Sequence, residues 1–201
     1  MNMNKVFYTA VEERRSIYAL GKNVKLEDDE IRGIVEHAVI HAPSAFNSQS
    51  ARVLLLFGKS HDKLWDITME ALRKIVPADN FSSTEAKINS FKAGYGTVLY
   101  FEDENVIRTL QGKFELYKDN FPIWSQQGTG ILQYIVWTGL SVEGIGASLQ
   151  HYTELIEEEV RKEFNIPKDW KMTAQMPFGS IEAPAGDKDF MDLQNRLIVK
   201  N

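Results

Sequence analysis

The chain of 201 residues contains no cysteine. That excludes disulfides, zinc ribbons, thiol redox pairs and a cysteine nucleophile, and it fits a reducing compartment. Basic residues are not in surplus either: 23 Lys and Arg stand against 28 Asp and Glu, a formal net charge of −5. A surface for nucleic acid or an anionic membrane wants a basic face, so neither partner is expected, and any anion must be caught by a local cluster. Long apolar runs are missing. The longest aliphatic-aromatic stretch, Val53 to Phe57, is far short of the roughly 20 residues that a membrane-spanning helix needs. The opening Met1-Asn2-Met3-Asn4-Lys5 has no signal-peptide core, and a cytoplasmic location is expected. Glycines (13) and prolines (6) are scattered singly, with no linker, repeat or low-complexity tract, so residues 1–201 read as one domain. At this length, folding buries roughly 70% of the unfolded surface, enough for a full core without a staple.

Hydrophobic periodicity supplies the elements. Residues 3–14 read as a first helix and Glu27 to Ile40 as a second, with Ile31, Ile34, Val35 and Ala38 on one face and Pro43 ending it. Ala51 to Phe57 reads as a buried strand. Ser60 to Val76 reads as a helix capped by Ser60, its inward stripe made of Leu64, Ile67, Ala71, Leu72 and Ile75. A second strand follows at Gly96 to Glu102. Ile123 to Glu143 is apolar on most faces and is expected as a central buried helix, its Gly128, Gly130 and Gly139 permitting close approach or merely tolerated. A short segment 147–151, a polar helix Glu154 to Phe164 and a strand from Lys171 to Phe178 complete the chain. In that strand Met172, Ala174 and Met176 alternate with Thr173 and Gln175. The mixture predicts an α+β or α/β domain, helices around a small sheet.

Several motifs fail on geometry. Gly58-Lys59-Ser60 sits where a phosphate-binding loop would, but the glycine required five positions earlier is Val53. Gly144-Ile145-Gly146 begins like a dinucleotide fingerprint, yet Leu149 occupies the third glycine position and a helix precedes it. There is no Gly-x-Ser-x-Gly elbow. His37, His41, His61 and His151 fit no metal pattern, and His37 and His41 are read as a solvated helix face. What remains is a pair of guanidiniums beside a hydroxyl, Arg14-Arg15-Ser16, suited to phosphate, and Pro43-Ser44-Ala45-Phe46-Asn47-Ser48-Gln49, a proline-fixed turn suited to the edge of a flat heteroaromatic ring. Together they favour a cofactor enzyme, in which an organic ring carries the electrons.

Arg14-Arg15-Ser16, the run 42–49 and Gly144-Ile145-Gly146-Ala147-Ser148-Leu149-Gln150-His151 resemble, in order and spacing, the three core motifs of the FMN-dependent nitroreductase family. The resemblance extends over nearly the whole chain. Gly94 to Glu102, Trp124-Ser125-Gln126-Gln127 and Leu149 to Tyr152 are similar to a short bacterial and fungal subgroup. That subgroup includes copper-induced proteins of lactic acid bacteria and fungal proteins linked to fatty-acid signalling. It implies a three-layer, mostly antiparallel nitroreductase-like fold, an intertwined homodimer and a role in stress response. It also implies FMN as cofactor and NADH or NADPH as reductant in a ping-pong reduction of nitroaromatics, quinones or similar small-molecule electron acceptors.

Carried over by residue, the resemblance places Arg14, Arg15 and Ser16 at the ribityl-phosphate end. Pro43, Ser44, Ala45, Phe46 and Asn47, with Gln49, lie near the flavin, partly from the second subunit; Ala45 stands where many members have a second serine. Ser148, Leu149, Gln150 and His151 pass the reactive ring edge, where a backbone amide faces N5. His151 replaces a glutamate of larger relatives and is read as substrate contact, proton source or packing. Lys188, or else Arg196, serves the phosphate from the tail. Of the aromatics Phe91, Tyr95, Tyr100, Phe101, Phe114, Tyr117, Phe121 and Trp124, the better substrate-pocket candidates are Phe114, Tyr117, Phe121 and Trp124, inside the excursion 103–124. A flavin- or lipid-binding regulatory protein with incidental reductase activity is the alternative reading.

Overall fold

The segment Gly96–Asp103, GTVLYFED, is apolar at consecutive rather than alternate positions, which demands cover on both faces of the sheet. In the computed structural model, which describes residues 5–200, it is given that cover. The elements are α1 Lys5–Glu13, β1 Leu20–Gly21, α2 Asp28–His41, β2 Ala51–Phe57, α3 Gly58–Arg73, α4 Phe81–Lys92, β3 Gly96–Asp103, α5 Glu104–Lys113, α6 Phe121–Val142, β4 Gly146–Ala147, α7 Thr153–Phe164 and β5 Trp170–Ile181. The sheet order is β1-β5-β3-β2, with β4 also on β5, and each ladder between strands is antiparallel. Leu99 and Phe101 join Leu64, Trp65, Phe91 and Ile156 in one cluster under α3, α4 and α7. Val98 and Tyr100 join Ile31, Val35, Leu132 and Leu140 in a second cluster under α2 and α6. This is a three-layer α+β arrangement, a mostly antiparallel sheet between helices, as the family resemblance implies.

Local chemistry sets several boundaries. Asp28, Asp29 and Glu30 fill the first turn of α2, and Glu27 and Glu30 cap each other reciprocally across it. An Asn165 in the left-handed conformation (φ 54°) closes α7. The cap expected of Ser60 is not used: α3 starts two residues earlier, after Phe57, with no side-chain cap. Positive φ at Gly58 (50°) makes the sharp strand-to-helix corner. The same helix stops at Arg73, so Ile75, expected in its inward stripe, is 63% exposed. Of the first predicted helix, residues 3 and 4 lie outside the described residues.

Three further expectations change. Met172 does not share a face with Ala174 and Met176, because a register shift between Tyr100 and Phe101 moves it across the sheet into the other cluster. Helix α6 is buried on one face only: Leu132, Val136 and Leu140 are covered, whereas Ile131 and Val142 are exposed. Two helices, α4 and α5, have no counterpart in the sequence reading; α4 buries only Phe81, Ile88 and Phe91, and α5 buries none. The glycines of α6 differ in role. A Cβ on Gly139 would stand 2.8 Å from the Ile34 side chain of α2, while Gly130 faces open space.

Where β1 crosses β5, a Cβ on Gly179 would overlap the Gly21 carbonyl and stand 3.0 Å from the Tyr95 backbone nitrogen. Gly179→Ala should therefore destabilise by about 2–4 kcal/mol and lower Tm by roughly 5–10 °C. Gly33→Ala, with nothing within 4 Å on exposed α2, should leave stability unchanged or raise it by up to about 1 kcal/mol. Thermal denaturation of the two variants checks the pair.

Candidate functional site

The end of α1 and the turn after α6 are sewn together at one residue. Ile17 N–H donates to the Ala147 carbonyl (2.9 Å), Trp137 Nε1 donates to the same oxygen (3.1 Å), and Ser16 and Ala147 form a parallel bridge. Arg14 is thereby set with its guanidinium 4.3 Å from the Trp137 ring centre, a cation–π contact. Its Nε is buried without a hydrogen-bond partner. Arg15 Nη2 reaches the Gly186 carbonyl of the tail at 2.7 Å. Arg14, Arg15, Ser16 and Lys188 then line one cavity of about 480 Å³. Of the two tail cations, Lys188 is brought to the arginines; Arg196 lies beyond a single 3-10 turn, Leu193–Asn195, and does not line that cavity.

The segment 148–151 runs beside β5. Gln150 and Gln175 exchange both backbone hydrogen bonds (2.7 and 2.9 Å), and Ser148 N–H donates to Pro177 (3.3 Å). The side chains of Ser148 and Gln150 are buried and bonded to each other (3.0 Å). They are thus turned inward, which leaves the backbone of this segment, the part the resemblance aims at a ring edge, as its route to a ligand. With Ser148 and Gln150 N–H committed to β5, the N–H groups of Leu149 and His151 have no partner among the described residues. His151 itself is exposed at a cavity of about 580 Å³ with Gln126, Glu154 and Lys171.

Pro43, Ser44 and Gln49 line a separate cavity of about 170 Å³, which shares no lining residue with that of Arg14. The loop is tightly made: Ser44 Oγ accepts from Gln49 N–H (2.9 Å), and Arg52 donates to the Gln49 carbonyl (2.6 Å) while pairing with Asp103 at 2.9 Å. Ala45–Asn47 form a 3-10 turn in which Phe46 and Asn47 adopt positive φ (55° and 49°), followed by Gln49 (46°). The Phe46 ring packs among Phe114, Tyr117, Phe121 and Trp124. Among the other aromatics, Phe91, Tyr100 and Phe101 are fully buried core and leave the candidate list.

Glu102 is not among the sequence candidates, although a carboxylate ending the apolar run Val98 to Phe101 is a recognisable anomaly. It lines both the Ser44 and the His151 cavities, is 4% exposed, accepts a hydrogen bond from Thr129 Oγ1, and keeps Oε2 unpartnered. Burial pushes its carboxyl up to about 7, against the opposing pull of Ser50 and Arg52. His61 is held between Thr97 Oγ1 (2.8 Å) and the Lys92 carbonyl (3.1 Å), and burial lowers its pKa; it is a packing histidine.

A carboxyl whose pKa is higher folded than unfolded binds a proton that the unfolded chain has released. Stability is therefore full below about 4.5 and declines as pH rises toward about 7. Glu102→Gln keeps an acceptor for Thr129 and removes the titration. Between pH 5 and 8 the variant should gain about 2 kcal/mol relative to wild type, read from denaturant midpoints at both pH values.

Comparison with known proteins follows the same outline. The Nitroreductase family profile matches residues 11–180. Nitroreductase CinD from Lactococcus lactis, solved in complex with chloramphenicol, is 48% identical with a TM-score of 0.89, covering 97% of this chain and 100% of that one. A structure of it with 4-nitrophenol gives the same values. The Saccharomyces cerevisiae nitroreductase FRM2 is 30% identical over 193 residues, 92% of this chain and 93% of its own. A protein from Desulfovibrio desulfuricans solved with FMN, 19% identical with a TM-score of 0.72 over 100% of this chain and 99% of that one, shares the fold. The chain belongs to the nitroreductase family and is a nitroreductase-type oxidoreductase.

Proposed function

We propose that the protein is an FMN-dependent NAD(P)H oxidoreductase of the cytoplasm that reduces nitroaromatics, quinones or similar electron-poor compounds and acts as a homodimer. The observation that carries this is the cavity of Arg14, Arg15, Ser16 and Lys188, joined by the Ser16–Ala147 bridge to the segment whose Leu149 and His151 amides have no partner among the described residues. The donor set fits the cofactor. Three cationic side chains and a hydroxyl suit a phosphate monoester, and the unpartnered Nε of Arg14 is a donor without an occupation in this chain. The Leu149 and His151 N–H groups can donate to the polar edge of a bound ring without any special side chain. When bound there, FMN supplies the electron-carrying ring at which NAD(P)H and the oxidant take turns over one open face.

The Pro43–Gln49 cavity is separate from the Arg14 cavity, which agrees with a loop that serves a second subunit. An apolar groove of about 740 Å³, lined by Phe7, Ile34, Tyr134 and Val142 along α1, α2 and α6, offers a surface for that subunit. CinD is solved with chloramphenicol and with 4-nitrophenol, which supports small aromatic nitro compounds as acceptors. The exposure of His151 beside Gln126 and Lys171 supports contact with substrate or return of a proton over a packing role.

Purified protein should show flavin absorption that bleaches anaerobically on adding NADH or NADPH; a colourless protein that FMN neither binds nor stabilises refutes the reading. Arg14→Ala should weaken FMN binding by about 10- to 100-fold and Lys188→Ala by about 10-fold, the cost of one charge-assisted hydrogen bond each. Arg196→Ala should leave FMN affinity within about 2-fold, all measured by titration of the apoprotein.

A further inference from the structure

Two buried side-chain oxygens without a hydrogen-bond partner, Glu102 Oε2 and Thr173 Oγ1, line the same cavity, the one of about 580 Å³ at whose edge His151 stands. The sheet puts both of them there. Glu102 ends the apolar run of β3 and is 4% exposed; Thr129 Oγ1 donates to its Oε1, and Ser50 and Arg52 add their pull, yet Oε2 is left over. Thr173 is the extra residue of the register shift: Tyr100 pairs with Ala174 and Phe101 with Met172, so Thr173 has no opposite number on β3. A bulge of this kind re-aims a side chain. Lys171, directly across the ladder from Glu102, would be the obvious partner, but it is exposed and does not reach Oε2.

A buried acceptor of this kind costs free energy until a donor meets it, and the rest of the lining says which donor. Glu104 and Glu154 bring further carboxylates against Lys171, while Ile107, Pro122 and Met172 make an apolar side. Among the described residues no three His, Asp or Glu side chains converge as a metal ion requires, so the acidic excess suits a charge carried on a molecule. We propose that this cavity binds a small organic cation, an ammonium or amidinium group on an apolar body, whose N–H groups donate to Glu102 Oε2 and Thr173 Oγ1. The cavity shares no lining residue with that of Arg14, and the site needs no cofactor. Binding is coupled to a proton. Glu102 holds its proton until near neutrality, and a cation that takes the ionised carboxylate must expel it. The other charged or titratable groups around Glu102 are Arg52 of β2, Asp103 and Glu104 next in the chain, His151 and Glu154 beside the cavity, and Lys171 of β5; α6 presents only uncharged Ser125, Gln126, Thr129 and Gln133. Protonation of His151 would weaken a cation in the same direction as protonation of Glu102, so the two are separated with Glu102→Gln, which keeps His151.

The test is calorimetric titration of the purified protein with benzamidine and with benzamide, its neutral counterpart, near pH 8.5 and near pH 5.5. At the higher pH benzamidine should bind about 10-fold more tightly than benzamide, and about 8-fold more tightly than it does at the lower pH. In Glu102→Gln both ratios should fall to within about 2-fold, and Thr173→Val should weaken benzamidine by about 3-fold or more. A second readout does not rest on affinity. The carbon NMR signal of the Glu102 carboxyl, assigned by its loss in the Gln variant, should titrate about one pH unit lower under saturating benzamidine. The site is overturned by an absence of saturable binding near pH 8.5, by benzamidine binding that Glu102→Gln leaves intact, or by a Glu102 midpoint that benzamidine does not move. A midpoint that rises by about one unit in Lys171→Gln also overturns it, since Lys171 would then be the missing partner.

Discussion

The carbonyl of Ala147 holds the site together. It accepts from Ile17 N–H and from the Trp137 indole, while its residue is paired to Phe178 of β5. Three segments far apart in sequence meet at this buried atom: the end of α1, the middle of α6 and the strand at the sheet's centre. Each consequence for chemistry follows from that meeting. The Trp137 ring, fixed by its N–H, becomes the floor on which the Arg14 guanidinium rests, 4.3 Å away. The strand-like course of 146–150 beside β5 commits alternate amides inward and leaves Leu149 and His151 to face out. A loss at this junction would separate cations from amides without touching either, which is why positions that contact no ligand can govern ligand affinity.

Charge is handled in two opposite ways a few residues apart. Asp103 is paired with Arg52 at 2.9 Å and also caps α5 through Asn105 N–H at 3.0 Å. Glu102, its neighbour, points to the other face, where desolvation outweighs the pull of Ser50 and Arg52 and keeps its proton until near neutrality. The alternation of side chains along a strand explains how adjacent carboxyls come to such different environments. It also ties the two loops: Arg52 clamps the carbonyl of Gln49, and Glu102 lines the cavity beneath Ser44 as well as the one at His151.

How much of this the sequence revealed depends on whether the signal was periodic. The strand Ala51–Phe57 and the helix α2 carry strong local patterns and fall within a residue of expectation. Helix α4 buries three residues and α5 none, so neither offers the long inward stripe by which a helix is read from sequence. Met172 reads correctly by period two only up to the bulge, and a bulge leaves no mark in composition. Among the candidates, Arg14 to Ser16 and Lys188 could be named through a family resemblance, but their meeting at one cavity depends on long-range pairing. The inward turn of Ser148 and Gln150 could not be read because it is set by which of their amides β5 accepts.

The loop 43–49 joins these threads. Three of its residues, Phe46, Asn47 and Gln49, adopt positive φ without being glycine, and a flexible loop would relax out of all three. What prevents relaxation is a set of contacts from different directions: Ser44 Oγ on Gln49 N–H, Arg52 on the Gln49 carbonyl, and the Phe46 ring among four aromatics. Glycine at Phe46 would lower the local strain yet enlarge the unfolded ensemble, and would give up the ring that does the fastening, whereas the groups held at Gln49 are its backbone N–H and carbonyl. At Phe46 the strain is therefore the consequence of a side chain being required where glycine would suit the backbone better. A loop built in that way is preorganised, and preorganisation is what a site needs if it is to receive flat ligands in one orientation rather than fold around them.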